Sequence, residues 1–575
     1  MEMITLTIDG KQVEVAKGST VLSAAKKLGI KIPTLCYHPE LSLEGSCRVC
    51  VVEVEGARGL VASCVFPAAE GMVVKTSTPV VREARKTVVE LLLANHPQDC
   101  LTCQRNLNCE LQTMAKDMGI REQRFEGQRK EYPKDLSNPS LVRDQEKCIL
   151  CGRCVRVCAE RQGAHVYSFA NRGFDTTVVP AFNRGLGEAA CVLCGQCANV
   201  CPVGAIVEVD DTERVFAALG DPTKHVVVQT APAIRVALGE DLGMKPGSIV
   251  TGKMVAALRQ LNFDKVFDTD FTADLTILEE GNEFLQRLQS GGTLPMLTSC
   301  SPGWVNFMEI NYPELLDHLS TAKSPQQMFG ALAKTYYAEK AGIDPKDIVS
   351  VSIMPCTAKK TEATRPEMKS SGYQDVDYVL TTRELARMIS SAGIDFKELP
   401  EEEFDNPMGI ATGAAVIFGA TGGVMEAALR TVHAVVTGKE MPKLEYLPAR
   451  GFEGIKEAVV DLEGTKVKIA VVHTLANAKI MMDKIRKGEA DFHFIEVMAC
   501  PGGCIGGGGQ PYSKNPAEVR KQRMEAIYTA DQLSKLRQSH LNPAVKTLYE
   551  EWLGEPLGEK SHHLLHTHYH KQDKC

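Results

Sequence analysis

The chain has 575 residues, a formal net charge of −7 at pH 7 and 24% charged residues. This acidic balance gives no electrostatic basis for binding nucleic acid, and no apolar run reaches the roughly 18 residues that a membrane-spanning helix needs. The length allows several domains with at least one large core. Because the N-terminus carries neither a signal peptide nor a twin-arginine signal, we expect a cytoplasmic protein with reduced thiols.

Cysteine is the most informative residue type in the chain, with 20 copies. In a reducing compartment, so many cysteines favour metal ligation over disulfides. All of them except Cys575 fall into groups that suit iron–sulfur clusters. These groups follow one another along the chain and divide it into candidate domains.

Residues 1–78 are predicted to form a small α+β ferredoxin-like unit. Alternation of apolar and polar side chains over 4–8 and 13–15 predicts a hairpin. Thr20 is placed to cap a short helix over 21–28. Hairpin, helix and further strand patterns together favour this fold.

Four cysteines lie on predicted loops of this unit. They are Cys36, Cys47, Cys50 and Cys64. Four thiolates around a compact sheet suit a 2Fe-2S cluster. The alternatives are structural cysteines or a zinc site, but such a zinc site needs two Cys-x-x-Cys pairs, and only Cys47 and Cys50 form one.

Residues 79–120 are predicted to hold a second metal site, at the end of a helix over 79–96. The candidate ligands are His96, Cys100, Cys103 and Cys109. A lone histidine at a helix end is usually a cap or a surface group, but three nearby cysteines favour ligation. Geometry alone allows a zinc site of three cysteines and one histidine, and we expect a 4Fe-4S cluster with one imidazole ligand. The charged stretch over 121–138 predicts a linker.

Residues 139–210 carry two copies of the bacterial ferredoxin run. In this run the fourth cysteine of each copy ligates the cluster of the other copy. We therefore expect two 4Fe-4S clusters that exchange one ligand. The candidate ligands are Cys148, Cys151, Cys154 and Cys201 for one cluster, and Cys191, Cys194, Cys197 and Cys158 for the other.

From about residue 226 the chain alternates strand-like and helical patterns, which predicts an α/β domain with a substantial core. The four remaining cysteines are far apart, so their spacing alone identifies no metal site. They are Cys300, Cys356, Cys500 and Cys504. From about residue 542 the chain is predicted to be helical, and it then becomes rich in histidine.

Three segments of the α/β region resemble the catalytic domain of FeFe (iron-only) hydrogenases. They are Thr-Ser-Cys-Ser-Pro-Gly-Trp at 298–304, Met-Pro-Cys-Thr-Ala-Lys-Lys at 354–360 and a glycine-rich stretch at 496–511. The resemblance extends over residues 220–535. No glycine-rich stretch is followed by Gly-Lys-Ser or Gly-Lys-Thr, so a phosphate-binding loop does not fit.

Both ends of the chain carry further resemblances. Residues 47–73 are similar to the N-terminal module of the large iron–sulfur subunit of NADH:quinone oxidoreductase. Residues 536–575 resemble the small-subunit segment of the hydrogenase family. The predicted fold is therefore multidomain α+β and α/β, with ferredoxin-like iron–sulfur modules followed by a two-lobed α/β FeFe-hydrogenase catalytic domain.

The family resemblance implies an active-site H-cluster, in which a 4Fe-4S cube shares one cysteine sulfur with a di-iron centre. That centre carries CO, cyanide and a bridging azadithiolate. In family terms Cys356, Cys500 and Cys504 ligate the cluster, and Cys504 is the bridging thiolate. Lys359 would hydrogen-bond a cyanide, because an ammonium is a compact charge suited to a small anion. The other residues expected there are Gln326, facing a diatomic ligand, Met354, Met498 and Phe418, forming an apolar wall, and Pro232.

One position departs from the family pattern. The usual segment is Thr-Ser-Cys-Cys-Pro, with a proton-relaying cysteine followed by a ligand cysteine, and here Ser301 occupies the second position. Strict register makes Cys300 the relay and Ser301 the fourth ligand. Thiolate is the more usual iron ligand, so a local shift that makes Cys300 the ligand is the alternative.

The rest of the family's proton path is present as Glu280, Ser320 and Glu283. Carboxyl and hydroxyl groups within hydrogen-bond reach of one another form a proton relay. Without the resemblance, a glutamate pair at i, i+3 would be interpreted as a solvated helix face.

The resemblance therefore implies a hydrogenase that interconverts H2 with protons and electrons. Its expected cofactors are one 2Fe-2S cluster, three accessory 4Fe-4S clusters and the H-cluster. Its expected partners are a flavoprotein diaphorase that binds NAD or NADP, a small iron–sulfur subunit and ferredoxin, in an assembly that could be electron-bifurcating.

Three other functions compete with this interpretation. One is a free-standing hydrogenase served by ferredoxin. Another is a non-catalytic electron-transfer subunit, which would need neither Lys359 nor the glycine-rich segment. The third is an H2 sensor, which usually has an attached signalling domain, and none is visible in the sequence.

Overall fold

The computed structural model describes residues 2–441, 443–462 and 464–574, so Cys575 lies outside the described residues. In this part of the chain no helix is both long and apolar enough to cross a membrane. The described strands form one five-stranded sheet, two four-stranded sheets and two two-stranded sheets.

The first module is a small α+β unit. Its elements are β1 (Met3–Ile8), β2 (Lys11–Ala16), α1 (Val21–Lys27), β3 (Val51–Val54), β4 (Val61–Ala62) and β5 (Val73–Lys75). The strands form a sheet in the order β2-β1-β5-β3-β4. β1 and β2 pair in antiparallel register, as the hairpin pattern predicts. Thr20 caps α1, because its hydroxyl accepts a hydrogen bond from the Ser23 amide at 3.2 Å.

Short elements carry the cysteine-rich middle of the chain. They are α2 (Pro79–Ala94), α3 (Glu110–Asp117), β6 (Leu141–Arg143), α4 (Arg153–Arg156), β7 (Ser168–Ala170), β8 (Thr177–Val179), α5 (Gln196–Val200) and β9 (Ile206–Glu208). β6 pairs with β9, and β7 pairs with β8. Each ferredoxin-type run turns into a short helix at a left-handed glycine, Gly152 before α4 and Gly195 before α5.

Two sheets define the two lobes of the largest domain. Their strands are β10 (His225–Thr230), β11 (Lys265–Asp268), β12 (Met296–Leu297), β13 (Ile348–Met354), β14 (Tyr378–Thr381), β15 (Ile455–Leu462), β16 (Thr465–His473) and β17 (Phe494–Met498). One sheet has the order β11-β10-β13-β14 and is parallel throughout. The other has the order β12-β17-β16-β15, in which β15 runs antiparallel to β16.

Helices cover both sheets. They are α6 (Thr212–Leu219), α7 (Thr251–Gln260), α8 (Thr269–Ser290), α9 (Pro302–Asn311), α10 (Pro325–Leu332), α11 (Ala338–Ala341), α12 (Ala358–Ala363), α13 (Thr382–Ser391), α14 (Gly413–Val416), α15 (Gly423–Thr437), α16 (Leu475–Arg486) and α17 (Pro516–Leu533). α8 is a 22-residue helix with mostly buried side chains. It contributes Ile277 to one apolar cluster and Leu275 to another, so it lies deep in the domain.

The carboxyl ends of strands from both sheets carry the predicted site residues. Cys300 follows β12, Cys356 follows β13 and Cys500 follows β17. In open α/β sheets, ligand sites form outside the carboxyl ends of the strands. The two-lobed arrangement therefore brings together cysteines that are far apart in the sequence.

The C-terminal segment, residues 543–574, is part of the folded core. It contains the last two helices, α18 (Pro543–Leu548) and α19 (Glu559–Leu565). Leu548 and Leu565 are fully buried in the same apolar cluster as Leu275 of α8. The segment therefore packs directly on the helix that carries the predicted relay glutamates.

Candidate active site and electron path

One cavity lies where the strand ends of the two lobes meet. Its lining includes Pro232, Cys300, Ser301, Gln326, Met354, Cys356, Lys359, Phe418, Met498, Cys500 and Cys504. All the residues that the sequence predicts for the cube and the di-iron centre are thus at one place. Sulfur donors are soft ligands that suit iron–sulfur clusters, and the remaining lining is mainly apolar.

The glycine-rich loop at 496–511 is held by close backbone packing. A Cβ added to Gly507 would lie 2.1 Å from the carbonyl oxygen of Pro355, and one added to Gly508 would lie 2.3 Å from that of Cys194. Only glycine fits at such distances. The loop therefore lies between the second signature segment and the second ferredoxin-type run.

Lys359 and Gln326 share one carboxylate partner. The Lys359 Nζ lies 2.8 Å from the Glu362 Oε2, and the Gln326 Nε2 lies 3.0 Å from the same oxygen. The Gln326 Oε1 is buried and has no hydrogen-bond partner among the described residues. An unpartnered buried polar atom fits a site that holds a further group. Glu362 was not predicted from the sequence, although its i, i+3 spacing from Lys359 is a usable signal.

Cys300 and Ser301 have different neighbours. The Ser301 Oγ accepts a hydrogen bond from the Ala499 amide at 3.3 Å, so it lies beside the segment that carries Cys500. Burial raises the pKa of the Cys300 thiol well above its ordinary value, and Glu280 makes the largest electrostatic contribution. Cys300 is therefore within electrostatic reach of the predicted relay carboxyl.

Glu280, Ser320 and Glu283 lie close together, and Ser320 is hydrogen-bonded to Glu283. The Ser320 hydroxyl donates to the Glu283 Oε2 at 3.0 Å, and Ser320 also influences the pKa of Glu280, so it lies close to both carboxyl groups. Burial, and next the charge of Glu283, raises the pKa of Glu280 to about 8. A carboxyl with such a pKa can give and take protons near neutral pH. Both glutamates are buried, which excludes a solvated helix face.

The two ferredoxin-type runs exchange their fourth cysteines in space. Burial raises the pKa of Cys151 to about 12, and the largest electrostatic contribution to this shift comes from Cys201. Burial also raises the pKa of Cys191 to about 12, and there the largest electrostatic contribution comes from Cys158. Such influence requires proximity. The structure thus groups Cys201 with the first run and Cys158 with the second.

The second run lies against the active-site cavity. A Cβ added to Gly303 would lie 3.5 Å from the Cβ of Cys194 and 3.4 Å from the Cβ of Ala499. The Gln196 Nε2 donates a hydrogen bond to the Gly506 carbonyl oxygen at 2.9 Å. The second ferredoxin-type site is therefore next to the cavity.

The cysteines of the first module are also close together. Those that influence one another's pKa are Cys36, Cys47, Cys50 and Cys64. Arg156 of α4 joins this module to the first ferredoxin-type run. It donates to the carbonyl oxygens of Cys36 at 2.5 Å and of Cys151 at 3.4 Å. The first module therefore docks beside the first run.

His96 has the properties of a metal ligand. It is buried, and its Nδ1 has no hydrogen-bond partner among the described residues. Burial lowers its pKa to about 4, so the ring is neutral near pH 7 and offers a lone pair. A Cβ added to Gly204 would lie 2.8 Å from the Cys103 Sγ, and Gly204 follows Cys201 closely in the chain. Cys103, one of the ligands predicted together with His96, therefore lies close to the residues that follow Cys201.

In the described ranges, no three or more His, Cys, Asp or Glu side chains form a group suited to a single metal ion. The thiolates around an iron–sulfur cluster bind different iron atoms, so they need not converge on one point.

Known families match successive parts of the chain. The matches are a 2Fe-2S iron–sulfur cluster binding domain at 1–79, the NADH-ubiquinone oxidoreductase-G iron–sulfur binding region at 85–124, a 4Fe-4S dicluster domain at 147–205, the C-terminal domain of the iron only hydrogenase large subunit over 224–508 and the iron hydrogenase small subunit over 517–572.

Relatives match at high identity. The NADP-reducing hydrogenase subunit HndD of Solidesulfovibrio fructosivorans is 54% identical over 100% of both chains. Iron hydrogenase 1 of Clostridium pasteurianum is 43% identical over 99% of this chain and 100% of its own. A solved structure of a variant of the FeFe-hydrogenase HydA1 from Chlamydomonas reinhardtii is 46% identical, with a TM-score of 0.57, over 63% of this chain and 99% of that one.

The chain belongs to the FeFe, or iron-only, hydrogenase family, as a large subunit with N-terminal 2Fe-2S and further iron–sulfur modules. It is thus an oxidoreductase that acts on H2. These matches confirm the family, the fold class and the kind of enzyme that the sequence predicts.

Proposed function

We propose that the enzyme catalyses the reversible oxidation of H2 to protons and electrons in the cavity between the lobes. The accessory cysteine and histidine sites would hold four iron–sulfur clusters, and these would supply the path for electrons to and from an NAD(P)-linked flavoprotein partner, ferredoxin, or both. The observation that carries this proposal is the lining of the cavity. Cysteine thiols and the Lys359 ammonium share it, and a buried carboxyl chain with a pKa of about 8 at Glu280 lies within electrostatic reach of Cys300.

When bound, the H-cluster supplies the metal centre at which H2 is split and a cube that conducts electrons. The chain supplies ligands and polarity. Cys356, Cys500 and Cys504 give thiolates, and Cys504 is assigned as the bridge. Lys359, held by Glu362, presents a positive charge to an anionic ligand. The side chains that keep water from the site are Pro232, Met354, Phe418 and Met498.

The proton path runs from Cys300 through Glu280 and Ser320 to Glu283. The Ser320 hydroxyl is hydrogen-bonded to Glu283 at 3.0 Å, and a proton from Glu280 would reach Glu283 by transfer to the Ser320 oxygen as the hydroxyl passes its own proton on. Beyond Glu283 the next group is Arg287, whose Nη2 donates to the Glu283 Oε1 at 2.6 Å. Arg287 is partly exposed, so the path approaches solvent there.

The accessory sites form a branched electron path. The second ferredoxin-type site adjoins the cavity, and the first adjoins both outer sites. Arg156 joins it to the 2Fe-2S module, and the close approach of Cys103 to Gly204 joins it to the site of His96. Two outer sites give two routes for electrons, which suits an enzyme with two redox partners.

The partners follow from this branching and from the relatives. A relative that matches over the full length is named an NADP-reducing hydrogenase subunit. We infer a cytoplasmic complex with a flavoprotein diaphorase that binds NAD or NADP and a small iron–sulfur subunit. Such a complex could be electron-bifurcating, with ferredoxin as second partner. The alternative is a free-standing enzyme that exchanges electrons with ferredoxin alone.

Purification from the native host separates these alternatives. Co-purification of flavin, together with H2-dependent reduction of NAD or NADP, supports the complex. Full activity with ferredoxin in a preparation that lacks a flavoprotein favours the free-standing enzyme.

We assign Ser301 as the fourth ligand of the cube and Cys300 as the first proton relay. The hydrogen bond from Ala499 to the Ser301 Oγ and the interaction of Cys300 with Glu280 support this assignment. Ser301→Ala should lower the iron content and alter the spectrum of the cube. Cys300→Ala should stop turnover and leave the iron content unchanged.

Ser301→Cys is the matched control, since it restores the donor that the family usually has. It should keep the cube and shift its reduction potential. If Cys300→Ala loses the cube and Ser301→Ala keeps it, Cys300 is the ligand and the register is shifted.

A further inference from the structure

The C-terminal segment, residues 543–574, reaches the proton path. Residues 565–567 pair antiparallel with residues 321–323, with Ala322 opposite His566 and two backbone hydrogen bonds of 2.8 Å. This pairing begins one residue after the relay serine. A part of the chain far from the signature segments therefore fixes the backbone of the relay.

His566 connects this pairing to the relay through its side chain. Its Nδ1 lies 2.8 Å from the Thr321 Oγ1, and its Nε2 lies 3.0 Å from the Glu279 Oε2. The Thr321 Oγ1 lies 3.1 Å from the Glu283 Oε2, and the Thr321 amide donates to the same oxygen at 3.0 Å. The Thr321 hydroxyl thus lies between Glu283, the last carboxylate of the relay, and His566 of the C-terminal segment.

Glu279 is next to the relay glutamate in sequence but binds the C-terminal segment. Besides His566, it accepts hydrogen bonds from the hydroxyls of Tyr549 and Ser561 and from the Leu557 amide. Burial opposes ionisation of this carboxyl, but these donors together lower its pKa. Glu279 is therefore an anion that requires a donor from the His566 Nε2.

The contact with Glu279 fixes the orientation of the ring and so places Nδ1 beside Thr321. The Thr321 hydroxyl lies between the His566 Nδ1 and the Glu283 Oε2, at 2.8 and 3.1 Å, so the ring holds in place a group that is hydrogen-bonded to Glu283. His566 therefore positions the hydroxyl that makes one hydrogen bond to the last relay carboxylate, Glu283.

We propose that His566 is a positioning residue of the proton relay. The C-terminal segment, most of which lies within the small-subunit match at 517–572, completes the relay instead of only packing against it. The inference rests on the proposed path through Glu280, Ser320 and Glu283. It adds Thr321 and His566 as the groups that hold the end of that path in place.

Two substitutions separate the two ring nitrogens. His566→Asn keeps an amide near the position of Nδ1, beside Thr321, and loses the contact with Glu279. His566→Gln keeps an amide near the position of Nε2, beside Glu279, and loses the contact with Thr321. We expect the Gln variant to slow H2 evolution roughly 10- to 100-fold and to raise its solvent deuterium isotope effect, because a displaced relay group transfers protons poorly. The Asn variant should stay close to wild type.

The thermal stability of the two variants should follow the opposite order to their rates of H2 evolution. The Asn variant loses the buried anchor to Glu279, so it should have the lower melting temperature of the two. Thr321→Val, which removes only the hydroxyl, should match the slow Gln variant, and Thr321→Ser should match wild type. His563→Ala changes an exposed histidine of α19 and is the control for surface effects.

The infrared spectrum separates failure of this inference from failure of the proposed function. The slow variants should keep the CO and cyanide bands and shift the carboxylic C=O band of the relay. If rates follow stability, with Asn slower than Gln, or if all variants turn over with the wild-type isotope effect, His566 is only an anchor and the inference is wrong. If the wild-type protein lacks hydrogenase activity and these bands, the proposed function itself is wrong.

Discussion

The ferredoxin-type sites and the active-site cavity are both built from cysteines, but they are assembled in different ways. Most of the cysteines predicted for each ferredoxin-type site lie within one short run, at a left-handed glycine that starts a helix. The cavity takes its cysteines from the ends of strands in two different sheets. Local spacing therefore defines the first kind of site, and the tertiary fold defines the second.

The difference extends to what surrounds the cysteines. Besides its thiols, the cavity contains the Lys359 ammonium and the Gln326 amide, which share Glu362 as a partner, and the buried Glu280 carboxyl lies within electrostatic reach of Cys300. The ferredoxin-type sites show mainly thiols and backbone amides. A site that only conducts electrons has to bind its cluster. A site that reacts with H2 also needs groups that transfer protons and polar side chains around the metal centre.

The largest expected effect comes from Cys504. Cys504→Ala removes the thiolate assigned as the bridge between cube and di-iron centre, so H2 evolution and H2 oxidation should both be abolished. Electron paramagnetic resonance should still show the accessory clusters. Cys151→Ala is the matched control and should damage an accessory cluster without removing the active-site bands. Normal activity of Cys504→Ala would contradict the assignment.

Glu280→Gln tests whether turnover depends on proton transfer through the Glu280 carboxyl. The amide keeps the size of the side chain and removes the titrating proton, so turnover should fall roughly 10²- to 10⁴-fold. The cluster spectra should stay intact. Glu525→Gln, at an exposed position, should have no effect. An unchanged rate in Glu280→Gln would show that protons take another route.

The pH dependence of turnover should report the same carboxyl. Since the pKa of Glu280 is raised to about 8, the group is protonated below that pH and ionised above it. H2 evolution draws protons inward through the protonated form, so its rate should fall above about pH 8. H2 oxidation needs the ionised form as acceptor, so its rate should rise towards the same pH. The absence of this inflection from wild type, or its persistence in Glu280→Gln, would contradict the account.

A smaller effect is expected where modules meet. Arg156→Gln removes the guanidinium group that donates hydrogen bonds to the carbonyl oxygens of both Cys36 and Cys151. Reduction of the 2Fe-2S cluster by H2 should therefore slow by a few fold. Rapid-mixing absorption spectroscopy measures this rate. Activity with a dye that accepts electrons from other clusters should not change. Arg172→Gln, at an exposed position, is the control.

The local sites could be predicted from the sequence because their signals are local. The hairpin and the cap at Thr20 follow from short-range patterns, and the structure contains both. The cavity residues could be named only through the resemblance to a family. Nothing in the spacing of Cys300 and Cys356 requires that they share a cavity.

Three residues around the site were not predicted from the sequence. Glu362 holds Lys359 and Gln326, and its spacing from Lys359 was a usable signal. Thr321 and His566 were not predicted as relay groups, because pairing of residues 245 positions apart leaves no periodic pattern. Tertiary structure alone brings the C-terminal histidine to the relay.

Infrared spectroscopy of the matured protein tests the central claim most directly. The account predicts CO and cyanide bands in wild type, from a di-iron centre held in the cavity, and their loss in Cys504→Ala while the accessory clusters remain. A wild-type protein that holds its full complement of iron and evolves H2 without these bands, or bands that persist in Cys504→Ala, would contradict it.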